Sequence, residues 1–375
     1  MKNEKKRVAI ICKGAGSIHR GSESFAIELG NYLHEYYDVD LYTESNTVNG
    51  FYGTIHTVTY KTSRIVRWYK KLYQNSTVLQ KIVQCSRYTM ILLPHYMENY
   101  EWGKAVFRQI KKNNSYNVIY PVNGPSCHFL ASKYRKKYGV PFFAKGAGGI
   151  GPGEWWVLKT KPDKYVCIST EQYRWAQRYY SRLSMIPNGT YVSDYDIQIK
   201  GDKFRINEGH KLVICVGHLD VSFKRHQLAI EAVSKLSNVD LLILGSGEAK
   251  EEFEQLGRKL MPGRLKVIGV PHTEIVHYYK SADVFTLASL KEPFGIVYIE
   301  AMAAGLPCVT TDDETRREII GNAGLTCDVE NVSEYAETIR KALYMAWGDK
   351  PKKRAALYDY SIIGKKYMDF IEEMT

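Results

Sequence analysis

Short apolar runs alternate with longer amphipathic stretches along the whole chain. Residues 7–12 form a first apolar run, and residues 22–37 place apolar side chains at the three- and four-residue intervals of a helix. Residues 39–43 form the next apolar run. This pattern predicts a strand, a helix and a second strand, with the glycine-rich residues 13–17 at the carboxyl end of the first strand, where open parallel sheets bind ligands.

The same alternation continues through both halves of the chain. In the first half it predicts strands at residues 88–94, 117–122, 140–144 and 164–169, and helices at residues 101–112, 126–138 and 170–180. In the second half it predicts strands at 211–216, 239–244 and 283–287, a helix at 227–236, and further alternation up to residue 346. Strands separated by helices indicate an α/β protein with two open parallel sheets.

The size and composition fit a globular protein with two domains. The length of 375 residues is enough for two cores. No apolar run approaches the roughly 18 residues that a membrane-spanning helix requires, and the run at residues 8–12 is too short for the core of a signal peptide. Seven cysteines occur without a Cys-x-x-Cys pair, which predicts reduced thiols and no zinc site. We therefore expect a cytoplasmic protein.

The net charge of +12 is concentrated in the first half of the chain. Residues 1–190 hold 28 Lys and Arg against 12 Asp and Glu, whereas residues 191–375 hold 24 against 28. This asymmetry predicts an anionic partner for the first half: a lipid surface, a phosphorylated acceptor or nucleic acid. Since no nucleic-acid-binding motif is recognised, we do not expect nucleic acid to be the partner.

Residues 61–87 are rich in Lys and Arg and contain no acidic residue. Apolar side chains recur among them at helical spacing, at Ile65, Trp68, Tyr69 and Leu72. One interpretation is a basic amphipathic helix that lies on an anionic membrane, which would place the protein at the inner membrane face. The other is a solvated helix whose apolar side packs on the domain core. The sequence leaves both interpretations open.

The candidate chemistry is concentrated in residues 281–324. The apolar run at 283–287 predicts a buried strand, and Glu292 and Pro293 follow it. Because proline favours the first turn of a helix, we expect a helix that begins near Phe294 and whose first amides carry the positive end of its dipole. These amides would hold an anion, and Glu292 and Glu300 would accept hydrogen bonds from ligand hydroxyls. A nucleotide sugar has the matching groups.

This segment resembles the Glu-x7-Glu signature of the retaining, family 4 type glycosyltransferases of the GT-B fold. The resemblance implies two Rossmann-like domains whose parallel sheets face an interdomain cleft. It also implies that Glu292 contacts the donor sugar, that the amides after it hold sugar hydroxyls and phosphate, and that Glu300 holds the ribose. The donor-binding residues that it implies in this segment are Glu292, Phe294, Gly295, Ile296, Val297 and Glu300.

A second motif of the same family lies near the start of the second half. The family carries Gly-Arg-Leu-x4-Lys-Gly there, and its Arg and Lys neutralise the leaving diphosphate. This chain keeps Gly217 and Lys224, but has His218 in place of the arginine and Arg225 in place of the glycine. The resemblance therefore implies that Lys224 contacts phosphate, and we expect Arg225 to restore the missing charge.

Further stretches are similar to the family in position. Residues 186–189 resemble its Ile-Pro-Asn-Gly turn between domains, which implies domains at 1–188 and 189–355 and a C-terminal helix at 356–375 that crosses back to the first domain. Residues 245–248 resemble its Gly-x-Gly turn, and residues 267–271 are placed like its segment that borders the base. The additional donor-binding residues implied in the second half are His218, Arg225, Gly245, Gly247 and Val270.

The first half matches the family less closely. Gly16 lies in a loop that corresponds to the family's glycine-rich loop near the diphosphate or acceptor, and residues 20–23 resemble the Gly-Gly-x-Glu that follows it, with one glycine replaced. The family also places a histidine beside the donor sugar after the strand at 140–144, and this chain has none there. We expect Lys145 to substitute for it. The other candidates are His19, His95 and His128.

Two formal motifs are discounted. Gly146, Gly148 and Gly151 form a Gly-x-Gly-x-x-Gly, but we expect Pro152 to break the helix that a dinucleotide-binding motif must open. Asp194 and Asp196 form the Asp-x-Asp metal signature of the other glycosyltransferase fold, but they follow the linker turn rather than a strand. We therefore expect no metal requirement.

Together these features predict a metal-independent, retaining hexosyltransferase that uses a UDP- or GDP-linked sugar and a hydroxyl acceptor, such as a glycan or a lipid-linked glycan. Glu292, Lys224 and Lys145 are the expected catalytic residues, and no cofactor is expected. Two alternatives remain: a GT-B enzyme of another reaction, such as a sugar-nucleotide epimerase or a phosphorylase, and a catalytically silent scaffold that binds nucleotide or sugar.

Overall fold

The computed structural model describes residues 5–17, 21–85, 92–113, 115–122, 124–197 and 204–375, with the backbone alone at residues 84 and 85. The chain divides into two compact units. The first contains Met1–Pro187 together with Ile363–Thr375, and the second contains Asn188–Ile362. The division falls within the turn at residues 186–189.

The strands of the first unit are all parallel to their neighbours. They are β1 (Arg7–Ile11), β2 (Asp38–Thr43), β3 (Thr54–Thr57), β4 (Val118–Pro121), β5 (Phe143–Lys145), β6 (Lys164–Cys167) and β7 (Leu183–Met185). Four of them pair in the order β3-β2-β1-β4 and three in the order β5-β6-β7. A single parallel bridge between Ile119 and Phe142 joins the two sheets.

The apolar runs locate five of these strands, and the sequence pattern does not predict β3 or β7. Both are short, and neither is fully buried, so that neither forms a continuous apolar run. The predicted strand at 88–94 lies outside the described residues except for its end. Pro94 there begins a helix.

The helices of the first unit are α1 (Gly21–His34), α2 (Arg64–Asn75), α3 (Thr77–Cys85), α4 (Pro94–Asn113), α5 (Gly124–Tyr138), α6 (Pro152–Lys159) and α7 (Thr170–Ala176). The expectation that Pro152 breaks a helix is wrong. Pro152 lies in the first turn of α6, where the amide that proline lacks would have no partner within the helix.

The core of the first unit forms where α4 packs on the sheet. Its buried side chains Trp102, Val106 and Ile110 recur at helical spacing, and the Trp102 indole donates a hydrogen bond to the carbonyl of Val58 at 3.1 Å. The C-terminal residues add to this unit, since the rings of Phe143 and Phe370 meet edge to face at 5.1 Å between centroids.

The second unit contains one six-stranded parallel sheet. Its strands are β8 (Lys211–Val216), β9 (Val239–Leu244), β10 (Leu265–Ile268), β11 (Val284–Leu287), β12 (Cys308–Thr311) and β13 (Gly324–Cys327). They pair in the order β10-β9-β8-β11-β12-β13. The chain therefore reverses its direction of progress across the sheet between β8 and β11. In open α/β sheets, ligands bind beyond the carboxyl ends of the strands at such a reversal.

The helices of the second unit cover this sheet. They are α8 (His226–Ser234), α9 (Lys250–Leu260), α10 (Ile275–Ser281), α11 (Ile296–Ala303), α12 (Glu314–Ile320), α13 (Val332–Tyr344) and α14 (Lys350–Ala356). Short 3-10 helices lie at Val192–Tyr195 and His272–Glu274, and α15 (Tyr360–Glu372) continues from the second unit into residues of the first. None of the described helices is long and apolar enough to span a bilayer.

Candidate functional site

Two loops meet at the reversal point of the second sheet. One follows β8 and runs from Gly217 to Arg225, and the other follows β11 and runs from Ala288 to Gly295. The amide of Leu290 donates a hydrogen bond to the carbonyl of Phe223 at 2.8 Å, which ties the loops together. The predicted residues of both motifs therefore lie at one edge of one sheet.

Lys224 and Glu292, which the sequence analysis predicts to be catalytic, form an ion pair across these loops. The Lys224 ammonium donates to Glu292 Oε2, and both side chains are largely buried. Asp220 shapes the first loop, because its Oδ1 accepts hydrogen bonds from the amides of Ser222 and Lys224, both at 3.1 Å. The stem of Lys224 passes over Gly217. The loops thus fix a lysine against a carboxylate 68 residues away.

The helix after Glu292 begins later than the sequence predicts. The expectation of a start near Phe294 is corrected, because α11 begins at Ile296 and Gly295 precedes it in a left-handed conformation (φ 85°). Phe294 lies before the helix, and its buried ring packs edge to face on Tyr358. The amides of Ile296 and Val297 lie in the first turn, where no carbonyl of the helix precedes them to accept a hydrogen bond. They therefore carry the positive end of the helix dipole.

Glu300 lies about one turn after Ile296 in the same helix and is buried. Its carboxylate accepts a hydrogen bond from the Tyr279 hydroxyl at 3.1 Å, and the exposed ring of His272 lies 3.3 Å from its other oxygen. Burial raises the pKa of Tyr279, and the Glu300 charge raises it further, so Tyr279 stays a hydrogen-bond donor. Tyr279 thus holds one oxygen of Glu300, and the exposed ring of His272 lies beside the other.

The loops after β9 and β10 complete this edge. An added side chain at Gly245 would meet the carbonyl oxygen of Gly217 at 1.9 Å, and one at Gly247 would meet that of Leu219 at 2.4 Å. The two glycines therefore allow the loop after β9 to lie against the loop after β8. Val270 follows β10 in the adjacent segment, and His218 is exposed beside Glu248 at 3.3 Å. These residues lie at the same edge as Lys224.

The Arg225 side chain does not share the partner of its neighbour Lys224. Its guanidinium is buried, donates from Nε to the carbonyl of Ala288 at 2.8 Å, and donates from Nη1 to Glu330 Oε1 at 2.7 Å. In this structure its charge is balanced by Glu330. The expected contact between Arg225 and phosphate stays a prediction. It would require the guanidinium to give up its hydrogen bonds to Ala288 and Glu330.

Gly16 and Lys145 belong to the first unit, so the structure does not group them with Lys224. Gly16 follows β1 with φ 83°, and an added side chain would meet the carbonyl oxygen of Thr47 at 2.2 Å. Lys145 ends β5, is buried, and places Nζ 3.6 Å from the centroid of the Phe25 ring. Burial lowers the pKa of Lys145 to about 7, although the nearby charge of Glu154 opposes this.

The glycine-rich loop after Lys145 is closed by its own side chains. Glu154 accepts hydrogen bonds from the amide of Gly148 at 2.8 Å and from the Tyr165 hydroxyl at 2.7 Å. Gln172 donates to the carbonyls of Gly146 and Gly149 at 2.8 and 2.6 Å. The loop does stand between a strand and a helix, so the reason given for discounting it fails. Its backbone, however, is occupied by Glu154 and Gln172 rather than left open for a dinucleotide.

The alternative histidines differ in their surroundings. His128 is buried, its Nδ1 lies 2.6 Å from the carbonyl of Gly124, and burial lowers its pKa to about 4. These features are typical of a structural residue. The rings of His95 and Tyr96 lie 4.0 Å apart between centroids and are tilted by 42°, and burial lowers the pKa of His95. His19 lies outside the described residues.

One buried residue behind the site has no signal in the sequence. Arg316 donates from Nη2 to the carbonyl of Ser289 at 2.9 Å and pairs with Asp313, so that it supports the loop that carries Glu292.

Within the described part of the chain, no group of three or more His, Cys, Asp and Glu side chains is arranged to hold a metal. Asp196 of the Asp-x-Asp pairs with Lys352 at 2.8 Å.

The two Rossmann-like units define the class of the protein, an α/β protein of the GT-B fold. The structure is similar to sucrose-phosphate synthase from Thermosynechococcus elongatus, with a TM-score of 0.75, 17% identity and coverage of 99% of both chains. It is also similar to HepE of Anabaena in complex with UDP and glucose, with a TM-score of 0.72, 15% identity and coverage of 98% of this chain and 100% of that one. At these identities the similarity establishes the fold.

The sequence comparisons identify a matching family model and relatives of the chain. Residues 196–362 match the family model of group 1 glycosyl transferases. The phosphatidyl-myo-inositol mannosyltransferase of Mycolicibacterium smegmatis is 30% identical over 206 residues, which cover 51% of this chain and 52% of that protein. The chain spans 36% of the length of a lipopolysaccharide core biosynthesis glycosyltransferase of Rhizobium meliloti and 53% of that of the mannosyltransferase of Mycobacterium tuberculosis, about half or less of these curated relatives. Named relatives of this chain are thus glycosyltransferases, and the segment that matches the family model lies in the unit that carries Lys224, Glu292 and Glu300.

Proposed function

We propose that the protein is a retaining, metal-independent glycosyltransferase that transfers a hexose from a nucleoside diphosphate sugar to a hydroxyl acceptor. The observation that carries the proposal is the ion pair between Lys224 and Glu292 beside the first turn of α11, at the reversal point of the second sheet. A cation, a carboxylate and free helix amides are the groups that a sugar joined to a diphosphate requires.

In the proposed reaction, Lys224 and the amides of Ile296 and Val297 stabilise the diphosphate as it leaves. Fixed donors of this kind act where negative charge develops in the transition state, which is usually the largest contribution to such a reaction. Glu292 positions the donor sugar through its hydroxyls, and Glu300 binds the ribose. In the family that the chain resembles, the departing phosphate is thought to help deprotonate the acceptor on one face of the sugar, so no protein nucleophile is required.

The proposed donor is a UDP- or GDP-linked sugar. The complex of HepE with UDP and glucose and the name of the mannosyltransferase relative support a nucleotide sugar as the donor class. We propose a glycan or a lipid-linked glycan as the acceptor, in line with the activities for which the relatives are named. Lys145 remains the proposed substitute for the family histidine.

The first experiment identifies the nucleotide. A ligand that binds only the native protein raises its melting temperature, so UDP, GDP and ADP are compared at one common concentration. A nucleotide present at about 100 times its Kd stabilises the protein by about 2.7 kcal/mol, and one that does not bind leaves the melting temperature unchanged. Donors built on the best nucleotide are then incubated with candidate acceptors, and the products are identified by mass spectrometry. A glycoside supports the proposal. An isomerised sugar nucleotide indicates an epimerase, a sugar phosphate a phosphorylase, and binding without turnover a silent scaffold.

The residue test uses Glu292→Gln and Lys224→Met, with Glu337→Gln as the matched control. Glu337 is also paired with a cation, Arg340, but lies exposed on α13. We expect each site variant to lower kcat by about 100-fold or more, because a positioned charge is lost. The control should retain full activity. Near wild-type turnover of Glu292→Gln would refute the role of Glu292.

We also propose that the protein associates peripherally with an anionic membrane through residues 61–85. The two helices there, α2 and α3, present a row of large apolar side chains that are between 42 and 73% exposed: Ile65, Trp68, Leu72, Val78 and Ile82. This exposure favours the membrane interpretation over the one in which they pack on the core. Only Val66 is buried in α2, and the Tyr69 hydroxyl donates to the carbonyl of Leu92 at 2.9 Å on the inward side.

Charge complementarity supports an anionic bilayer as the partner. The exposed cations Lys61, Arg64, Arg67, Lys71 and Lys81 surround the apolar row. Each basic residue near an anionic surface contributes about 1 kcal/mol, and apolar side chains that enter the headgroup region add the hydrophobic contribution. A face that combines both kinds of residue is therefore suited to the interface rather than to solvent.

Vesicle flotation tests this association. We expect vesicles with phosphatidylglycerol to retain the protein at low salt, and the double variant Ile65→Ser/Trp68→Ser to lose at least about tenfold in partitioning. Tyr344→Ser, which removes an exposed aromatic side chain from the second unit, is the control and should bind normally. Equal retention by neutral vesicles would contradict the electrostatic contribution. Concentration-dependent dimerisation that the double variant abolishes would instead identify the face as a protein interface.

A further inference from the structure

Arg225 has a backbone conformation that is unfavourable for a residue with a side chain. Its φ of 54° and ψ of 45° lie in the left-handed region, which Lys161 and Asn238 are the only other non-glycine residues to occupy among those that the structure describes. The family that the chain resembles has glycine at this position, which adopts this conformation without strain. An arginine here therefore requires a compensating interaction.

The side chain of Arg225 provides that interaction by joining three loops. Nε donates to the carbonyl of Ala288, at the start of the loop that carries Glu292, and Nη1 donates to Glu330 in the loop after β13. Arg225 itself ends the loop that carries Lys224. The guanidinium thus joins the loops at the reversal point of the sheet, and the Lys224–Glu292 ion pair joins two of the same loops by a second contact.

We propose that Arg225 is a positioning residue that holds Lys224 and Glu292 in register, rather than a residue that contacts the phosphate itself. The left-handed residue directs two consecutive side chains to different partners, Lys224 to Glu292 and Arg225 to Ala288. Holding Ala288 fixes the start of the loop that carries Glu292. A displacement of about 1 Å at such a site costs about 100-fold in rate, so a residue behind the site can control turnover. The inference rests on the proposed function.

The kinetic test uses Arg225→Gly and Arg225→Lys, with Lys161→Gly as the matched control. Glycine relieves the backbone strain but removes the clamp. We expect Arg225→Gly to keep its melting temperature within about 3 °C of wild type, because strain relief offsets the lost hydrogen bonds. Its kcat should fall at least about tenfold, with the nucleotide Kd within about threefold. Arg225→Lys retains the strain and one donor group, so it should regain part of kcat and melt at a lower temperature.

Lys161→Gly relieves the same kind of strain at an exposed position in the first unit, and it should leave kcat unchanged. Two results would overturn the inference. One is wild-type kcat in Arg225→Gly. The other is a nucleotide Kd weakened at least about tenfold with kcat preserved, which would identify Arg225 as a direct phosphate ligand.

A measurement without substrate separates this inference from the proposed function. The amide of Leu290 donates to Phe223 within the clamped loops, and its hydrogen exchange reports their opening. We expect exchange in residues 288–296 to be at least about tenfold faster in Arg225→Gly and unchanged in Lys161→Gly. If the wild type transfers no sugar, the proposed function fails, and faster exchange still supports the clamp. Unchanged exchange refutes it in either case.

Discussion

Replacing Gly295 with alanine tests the geometry that joins Glu292 to its helix. Gly295 has φ 85°, and an added Cβ would lie 2.5 Å from Cε2 of Tyr298 and 3.0 Å from Cγ of Glu292. Tyr298 cannot retreat, because it is fully buried and its hydroxyl lies 3.0 Å from the Thr310 hydroxyl. The backbone at residue 295 must therefore shift away from the Tyr298 ring, and the adjacent Glu292 side chain, which the new Cβ also crowds, is displaced with it. The substitution thus perturbs stability and the proposed site together.

A second glycine separates the two contributions to the change in stability. Gly263 lies in the same unit with φ 74°, and an added Cβ there would meet nothing within 4 Å. Gly263→Ala should thus lower the free energy of unfolding by about 1–2 kcal/mol through the backbone conformation alone. Gly295→Ala adds steric overlap that costs about 1–3 kcal/mol, for a total of about 2–5 kcal/mol.

Calorimetry and the transfer assay check this prediction. About 2–4 °C of melting temperature corresponds to each kcal/mol for a unit of this size, so the difference between the two variants is measurable. We also expect kcat/KM of Gly295→Ala to fall at least about tenfold and that of Gly263→Ala to stay at the wild-type value. Equal destabilisation of the two variants would refute the crowding deduced at Gly295, and full activity of Gly295→Ala would show that the position of Glu292 is unimportant.

Three further predictions concern the buried polar groups. Glu300→Gln should weaken donor binding by about 10-fold or more and leave kcat nearly unchanged, as measured by calorimetric titration and kinetics, because a hydrogen bond from a hydroxyl to a charged acceptor contributes about 1.5–3 kcal/mol. Lys145 has a native pKa of about 7, below that of the unfolded chain, so the free energy of unfolding should rise with pH between about 7 and 10. Lys145→Met should remove on the order of 3 kcal/mol of that rise in urea titrations, and an identical rise in the variant would contradict it. Because the six cysteines whose side chains are described are buried, with burial raising their pKa, Ellman's reagent should modify them only after unfolding.

The sheet of the second unit could be predicted closely from the sequence. The strands at 211–216 and 239–244 have the predicted bounds, because buried parallel strands are continuous apolar runs. The helix after Glu292 begins two residues later than predicted. Pro293 favours a helix start, but the left-handed conformation of Gly295 excludes a right-handed helical turn until Ile296. The preference of proline for a first helical turn and the left-handed conformation of glycine compete there, and the sequence does not show which of them determines where the helix begins.

The first unit was less predictable because its strands are shorter and more polar. β3 has isoleucine and histidine between two threonines, and β7 has three half-buried residues, so neither forms the continuous apolar run by which the other strands are predicted. Pro152 shows the converse error, since the same residue type that interrupts a helix interior is favoured in a first turn. The direction of a side chain was also beyond the sequence. Arg225 and Lys224 are neighbours, yet only backbone dihedral angles decide that their side chains bond to different partners.

The Lys224–Glu292 ion pair links recognition of the two halves of the proposed donor. In the structure each group satisfies the other, so a diphosphate that attracts Lys224 also releases an oxygen of Glu292 to accept a sugar hydroxyl. A nucleotide without its sugar would leave that largely buried carboxylate without a partner, which is costly. A sugar without its diphosphate would have to compete with an ammonium group. Arg225 cannot replace Lys224 without leaving Ala288 and Glu330. In the proposed reaction the pair would therefore favour the intact nucleotide sugar over either of its parts, which is the discrimination that a transferase needs.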